Sequence, residues 1–191
     1  MKKKVTYSIF IALILIIVAI IGSTYAYYSL VAAGSNKNVS TNSEKYEVIY
    51  NGGTDIDSTN CQMNVVARKE DGCSTVVEIG VSEDVNVKIN ANLYINIDLI
   101  SDKLKTEGFK WEVYELNGTN ETLVSNGNFK NIPNNNQIQI VSNRLLTYPP
   151  KKYKIYFWID GNLTNNTIAN SSFRGYIGAN TEMLTGIVNN S

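Results

Sequence analysis

The sequence predicts an all-β protein: an antiparallel β-sandwich or jelly-roll-like domain, preceded by one apolar N-terminal helix. Three observations lead to this prediction. Apolar and polar residues alternate with period two over several stretches, which is the pattern of half-buried strands. Turn residues such as Gly and Asn separate these stretches at short intervals. One long apolar run follows three lysines at the N-terminus and has no counterpart later in the chain.

The first element is this apolar run, "MKKKVTYSIFIALILIIVAIIG". A positive start, an apolar core over residues 9–21 and small residues after it are typical of a secretory signal peptide. Thr24 and Ala26 stand in an A-x-A-like relation. The pattern therefore predicts cleavage between Ala26 and Tyr27.

The same run permits a second interpretation, an uncleaved membrane anchor. Residues 5–28 amount to about 24 residues, enough for a helix to cross a bilayer core of ~30 Å. The lysines would then stay in the cytoplasm, and the tyrosines at the end of the run would lie at the far interface. Both interpretations place residues 30–191 outside the cytoplasm, either secreted or anchored to the membrane, and they differ only in tethering.

The chain accordingly divides into three parts. Residues 1–26 form the signal peptide or anchor helix, residues 27–44 a polar spacer or donor segment, and residues 45–191 the β-sandwich domain. The strands predicted in this domain cover residues 45–51, 75–81, 84–100, 109–116, 121–129, 137–141, 152–160 and 172–179. The first ends at a Gly-Gly turn, and "NGTN" after residue 116 predicts a hairpin to the strand that follows.

The clearest strand is "DVNVKINANLYINIDLI", residues 84–100. Its odd-numbered residues, from Val85 to Leu99, are apolar and predict the core face, whereas its even-numbered residues are mostly polar. An uninterrupted strand of this length is unusual, so we expect a bend or bulge near residues 90–92. A polar second face indicates a sheet covered on one side only, which favours antiparallel pairing.

Composition excludes several classes of function. The chain has no histidine, which removes His-activated nucleophiles and His-ligated zinc. Lysine and arginine total 17, as do aspartate and glutamate, and without the three N-terminal lysines the remainder carries about −3. A nucleic-acid partner is therefore not expected.

The two cysteines predict a disulfide. Cys61 and Cys73 flank a segment with an "EDG" turn in a chain expected to be exported. Closing this loop would contribute ~3 kcal/mol in the chain-entropy model. Two buried thiols, or half of a metal site, are the alternatives. With no histidine and no further cysteine, no metal is expected.

Aromatic residues suggest one candidate ligand surface. In "KIYFWID" the side chains of Tyr156 and Trp158 share one face of a strand, and Ile155, Phe157 and Ile159 share the other. Tyr156 and Trp158 could stack on a ligand such as a glycan, or they could pack against the rest of the protein. The residues leave both alternatives open.

Carboxylates suggest two further sites. "DID" at residues 55–57 and "DGN" at residues 160–162 resemble fragments of calcium loops, but neither supplies six to eight ligands. Turn formation, with Asp and Asn bonding to their own backbone, explains both. A pair of carboxylates could also serve a glycosidase. No cofactor is expected.

Several stretches resemble one known family. The leader ending in "GSTYAYYS" (residues 22–29), the strand "DVNVKINANLYINI" and "YFWIDGN" are similar to the TasA/camelysin family of exported Gram-positive proteins. The resemblance implies a jelly-roll-like sandwich, processing by a dedicated signal peptidase and a role in extracellular fibres or surface matrix. It implies assembly by strand addition, for which residues 30–50 are the natural donor. Camelysin's metalloprotease activity is not carried over, because the chain has no HExxH. The two cysteines also depart from the family.

These observations together predict an exported, non-enzymatic structural or assembly protein of the cell surface. Its expected partners are the membrane, if the N-terminal helix is uncleaved, and further copies or other surface proteins. One alternative is an adhesin module that binds glycans or another surface ligand. A glycoside hydrolase that uses carboxylates alone is a further alternative.

Overall fold

The computed structural model describes residues 29–32, 38–39, 42–43, 46–57, 65–83, 88–163, 168 and 171–183. The predicted N-terminal helix lies outside these residues, and within them no helix is long and apolar enough to cross a membrane. The strands are β1 (Ser29–Ala32), β2 (Asn38–Val39), β3 (Asn42–Ser43), β4 (Tyr46–Asn51), β5 (Val65–Val66), β6 (Cys73–Val81), β7 (Ile89–Ile100), β8 (Phe109–Asn117), β9 (Asn120–Asn128), β10 (Gln137–Leu145), β11 (Lys151–Asp160) and β12 (Phe173–Met183). Short 3₁₀ turns cover Lys69–Asp71 and Asp102–Leu104.

The strands form two sheets. The four-stranded sheet has the order β1-β12-β7-β10, and the eight-stranded sheet has the order β2-β4-β6-β11-β8-β9, with β3 beside β4 and β5 beside the end of β11. Every described pairing is antiparallel except that of β5 with β11. The predicted all-β class and antiparallel pairing are therefore confirmed.

The core lies between the two sheets. Alternate residues of β7, β8, β11 and β12 point inward, as period-two patterning requires. Four phenylalanines form an aromatic cluster in this core, with ring centroids from 4.2 to 6.5 Å apart: Phe109, Phe129, Phe157 and Phe173. The cluster joins the sheets, since Phe173 belongs to the four-stranded sheet and Phe109 and Phe157 to the other.

Strand β7 keeps the predicted faces along most of its length. Ile89, Leu93 and Ile97 are buried in the core. Between the pairs Gly175↔Ile97 and Arg174↔Leu99, β7 has one extra residue, Asp98. This bulge reverses the alternation, so Leu99 is 50% exposed and its predicted place on the core face is wrong. Residues 84–87, the predicted start of the strand, lie outside the described residues.

The irregularity expected near residues 90–92 occurs in the neighbouring strand instead. The register of β10 against β7 shifts on either side of Val141, opposite Leu93. The buried side chain of Asn92 stabilises this distortion, because its Oδ1 accepts hydrogen bonds from Asn143 N, at 2.9 Å, and Gln139 Nε2, at 3.0 Å. Asn143 has a φ of 49°, a left-handed conformation that Asn adopts more readily than most residues. An Asn in the middle of β7 thus holds a bulge in β10.

A buried tyrosine hydroxyl also connects the two sheets. Tyr50 of β4 is 1% exposed, and its hydroxyl donates a hydrogen bond of 2.8 Å to the carbonyl of Ile177 in β12. Burial, with a smaller contribution from Tyr176, raises the pKa of Tyr50. The core therefore contains an ionisable group that is stable only in its neutral form.

Replacing Tyr50 by Phe should make the free energy of unfolding depend less on pH above about pH 10. Because the pKa of Tyr50 is raised in the folded state, its contribution to stability is complete below about pH 10, where the unfolded chain begins to release the proton. That contribution is lost as the pH rises towards the folded-state pKa. We expect Tyr50→Phe to cost about 1 kcal/mol at neutral pH, for the lost hydrogen bond, but to lose less stability above pH 10.

Urea denaturation between pH 7 and pH 12 measures both effects. Some alkaline sensitivity should remain, because burial also raises the pKa of Tyr153. Tyr148→Phe is the matched control, since that side chain is 58% exposed. Equal slopes above pH 10 for Tyr50→Phe and the unsubstituted chain would contradict the assignment.

Candidate functional site

A cluster of lysines, glutamates and tyrosines covers the outer face of the eight-stranded sheet. Its position follows from the pairing of β8 with β11, which places Tyr114 opposite Lys154 and Glu112 opposite Tyr156. Cross-strand neighbours of this kind interact directly. We call the group the lysine–tyrosine cluster; its members are Lys69, Glu112, Tyr114, Glu121, Lys154 and Tyr156.

Lys69 enters the cluster from the 3₁₀ turn before β6. Its Nζ lies 3.0 Å from Glu112 Oε2 and 4.1 Å from the centroid of the Tyr114 ring, and it also donates to the Tyr114 hydroxyl. The Tyr114 hydroxyl in turn donates to Glu112 Oε2 at 2.7 Å. Partial burial opposes the charge on Lys69, but the bonds to Tyr114 and Glu112 outweigh it and raise the pKa of Lys69. The lysine is therefore held as a cation and is not a candidate base.

Glu121 of β9 completes the cluster on its other side. It accepts hydrogen bonds from the Tyr156 hydroxyl, at 3.0 Å, and from Lys154 Nζ, at 3.1 Å. Burial acts to raise the pKa of Glu121, but these two donors overcome it and lower the pKa. A glycosidase needs one carboxyl whose pKa is raised so that it can donate a proton. Glu121 has the opposite shift, so its environment does not suit it to be that acid.

The two aromatic residues proposed for ligand stacking lie in and beside this cluster, and both are buried. Tyr156 is 6% exposed and Trp158 is 8% exposed. Lys154 Nζ lies 4.5 Å from the Tyr156 ring centroid, and Lys110 Nζ lies 6.0 Å from the Trp158 ring centroid. Neither ring presents an open face to a ligand in this conformation, and both contribute packing instead.

The "DGN" fragment forms a turn. Asp160 Oδ1 accepts a hydrogen bond from Asn162 N at 2.9 Å, and its Oδ2 accepts one from Lys110 Nζ at 2.8 Å. The bond from Lys110, followed by that from Asn162, lowers the pKa of Asp160. In the described part of the chain no group of three or more His, Cys, Asp or Glu could hold a metal ion.

The cysteine and leader predictions fall partly or wholly outside the described residues. Cys73 begins β6 and is disulfide-bonded. Cys61, its predicted partner, lies outside the described residues, as do Ala26 and Tyr27 of the predicted cleavage site. The pairing and the cleavage stay predictions.

A second candidate site is the edge of the four-stranded sheet. There β1 pairs with residues 179–182 of β12, and Ile56 forms an isolated bridge with Gly175 through two backbone hydrogen bonds of 2.9 and 3.0 Å. Further along the chain, β2 and β3 pair with β4 in the other sheet. The N-terminal strands thus lie along the edges of both sheets. Strand β4 is different, because it pairs with β6 and buries Val48 and Tyr50.

Sequence reasoning missed Lys69, Glu112, Tyr114 and Glu121 as a group. In the sequence of β8, Glu112 and Tyr114 alternate with apolar residues and so share one face, but nothing in this stretch indicates that β11 lies beside it. Comparisons of this chain with protein-family models, with curated proteins and with solved structures find no match.

Proposed function

We propose that this protein is an exported, non-enzymatic component of the cell surface that assembles by strand addition. The observation that carries the proposal is the pairing of β1 with the edge of β12. Strand β1 belongs to the segment between the leader and the domain, where the sequence predicts a donor. The leader supports export, and the absence of histidine supports a role without His-based catalysis.

The edge of β12 is suited to accept a strand from another molecule. Strand β12 runs from Phe173 to Met183; among the described residues, β1 covers four positions of this strand and Ile56 covers Gly175. An edge strand presents unpaired N–H and C=O groups that bind any extended segment in register. The β1 of a second copy can make the same backbone hydrogen bonds as the chain's own β1. Exchange of this kind is a low-cost route from monomer to chain-like assemblies.

We also propose a jelly-roll topology for the two-sheet fold. A jelly roll divides eight antiparallel strands between two sheets through two Greek keys. Four nested pairs support this assignment: β1 with β12, β6 with β11, β7 with β10 and β8 with β9. In this arrangement β1 is the first of the eight jelly-roll strands, so the exchange of β1 between two copies would leave the other seven strands in place.

Cysteine pairing between copies tests the exchange. One copy carries Val31→Cys and a second carries Asn180→Cys, residues directly opposite each other in the β1–β12 register. If β1 of one copy occupies β12 of another, mixing the two full-length proteins under oxidising conditions should give a covalent dimer on non-reducing gels. Light scattering and electron microscopy of the unsubstituted protein should show assemblies.

The matched control pairs Val31→Cys with Gln137→Cys, an exposed residue of β10 at the opposite edge of the sheet. This mixture should give no covalent dimer. A strictly monomeric protein at all concentrations, with no dimer from the Val31 and Asn180 mixture, would rule out strand addition.

A further inference from the structure

The outer face of the four-stranded sheet differs chemically from that of the other sheet. Because Ile89, Leu93 and Ile97 of β7 and Ile177 and Ala179 of β12 are buried in the core, the alternate residues point outward. Four of these outward residues, and two on the same face of β10, are amides or tyrosines. We call them the amide–tyrosine face: Tyr94, Asn96, Gln137, Gln139, Tyr176 and Asn180.

The strand register arranges these residues in rows across the sheet. Asn96 of β7 lies between Tyr176 of β12 and Gln137 of β10. In the next row Tyr94 lies between Gln139 and Gly178, so no side chain occupies the β12 position beside it. The two tyrosines are therefore diagonal neighbours on one face, about 7–8 Å apart at their backbones.

The amides are positioned by one another, and one acceptor has no partner. Gln137 Nε2 donates to Asn96 Oδ1 at 2.8 Å, and Gln139 Nε2 donates to the buried Asn92 at 3.0 Å. Asn180 Oδ1 is buried and accepts no hydrogen bond. Because this oxygen is shielded from solvent, the amides that are open to a ligand are those of Gln137 and Gln139, which are exposed.

The face carries no charge over its central part. Residues 90–97 of β7, 137–143 of β10 and 175–181 of β12 contain no Lys, Arg, Asp or Glu. The outer face of the eight-stranded sheet, by contrast, contains the ion pairs Lys69–Glu112, Lys110–Asp160 and Lys154–Glu121. An anionic ligand would find no counter-charge on the central part of the amide–tyrosine face, and the carboxylates of Asp98 and Asp55 act on Tyr176 at its rim. Such a ligand would lose its hydration without compensation.

We propose that the amide–tyrosine face binds a neutral glycan. Each Asn or Gln side chain offers both a donor and an acceptor, which matches the paired hydroxyls of a sugar. The half-buried rings of Tyr94 and Tyr176 offer flat apolar surface with a polar tip, on which the C–H face of a sugar ring packs. The glycan hydroxyls would exchange hydrogen bonds with the exposed amides of Gln137 and Gln139. This function is separate from strand addition and does not depend on it.

Affinity electrophoresis of the full chain in mild detergent tests the proposal. The gels contain a neutral polysaccharide (a mannan, a dextran or a β-1,4-glucan) or an acidic one (polygalacturonate). We expect retardation by at least one neutral polymer and none by polygalacturonate. Tyr176→Ala and Tyr94→Ala should each weaken binding at least tenfold, and the more conservative Gln137→Ala and Tyr176→Phe about threefold or more. Lys152→Ala, on the outer face of the other sheet, is the control and should bind normally.

Thermal unfolding shows whether each variant is folded. If a tyrosine variant does not fold, Gln137→Ala still tests the proposal, because Gln137 is exposed. Binding that survives all four substitutions would overturn the proposal. Retardation by polygalacturonate alone, or by no polymer, would also overturn it. The proposal would also be overturned if the protein bound no glycan but self-associated, and if Tyr176→Ala abolished that self-association. The face would then bind a second copy of the chain.

Discussion

Phe129→Ala should lower the free energy of unfolding by about 3–5 kcal/mol, the range for removing a buried phenylalanine. Phe129 is 0% exposed and stacks on Phe109 with centroids 4.2 Å apart, while its edge meets Phe173 at 5.2 Å. Its own backbone N–H bonds to the carbonyl of Phe109 at 3.0 Å, so the backbone cannot easily move inward to fill the cavity. The cavity would lie between the two sheets, where Phe129 contacts Phe109 of one and Phe173 of the other.

Thermal and urea denaturation measure this effect. For a domain of this size each kcal/mol lowers Tm by about 2–4 °C, so Tm should fall by roughly 6–20 °C. Leu123→Ala is the matched control in the strand before it, because Leu123 is 47% exposed, and it should cost less than about 1 kcal/mol. A loss below 1 kcal/mol for Phe129→Ala would show that the aromatic cluster does not hold the sheets together.

Strands with regular alternation could be predicted from the sequence almost to the residue. The prediction for residues 109–116 corresponds to Phe109–Asn117, and that for residues 152–160 corresponds to Lys151–Asp160. Both strands bury one face along most of their length, so core packing produces a period-two pattern that can be recognised within a single strand. The turn at Gly118 could also be predicted, because two-residue hairpin turns favour glycine, and Gly118 has a φ of 62°.

Bulges could not be predicted from the alternation within one strand. The prediction for residues 137–141 ends where the register of β10 shifts, whereas the strand continues to Leu145. Leu99 was assigned to the core for the same reason, since one extra residue at Asp98 reverses the faces beyond it. A bulge depends on the partner strand and on side chains such as Asn92, which alternation within one strand does not reveal.

The candidate sites depend on contacts between distant parts of the chain. Glu112 and Tyr156 are 44 positions apart yet directly opposite in the sheet, and Asn96 and Gln137 are 41 apart. The sequence showed that Tyr156 shares a face with Trp158, but only the strand order shows that Lys69, Lys110 and Lys154 cover that face. The same order brings the uncharged parts of β7, β10 and β12 together on the opposite surface.

One glycine in the loop after β4, Gly53, lies too close to β6 to carry a side chain. Gly53 has a φ of 71°, a conformation that side chains rarely adopt. A Cβ at this position would lie 2.4 Å from Thr75 Oγ1 and 2.5 Å from the carbonyl oxygen of Val76. The close approach allows Thr75 Oγ1 to accept from Thr54 N at 2.9 Å and to donate to Thr54 O at 3.1 Å. This contact fixes the loop to β6 and positions Ile56 for its bridge to β12.

Gly53→Ala should therefore cost about 2–4 kcal/mol, combining roughly 1–2 kcal/mol of backbone strain with the displacement of Thr75 and Val76. Gly118→Ala separates the two causes, because Gly118 has a φ of 62° but its Cβ would meet nothing within 4 Å. It should cost only the strain, about 1 kcal/mol. Urea denaturation gives both values. Equal losses for the two variants would show that the contact with Thr75 contributes nothing, and the bridge from Ile56 to the β12 edge would then need another support.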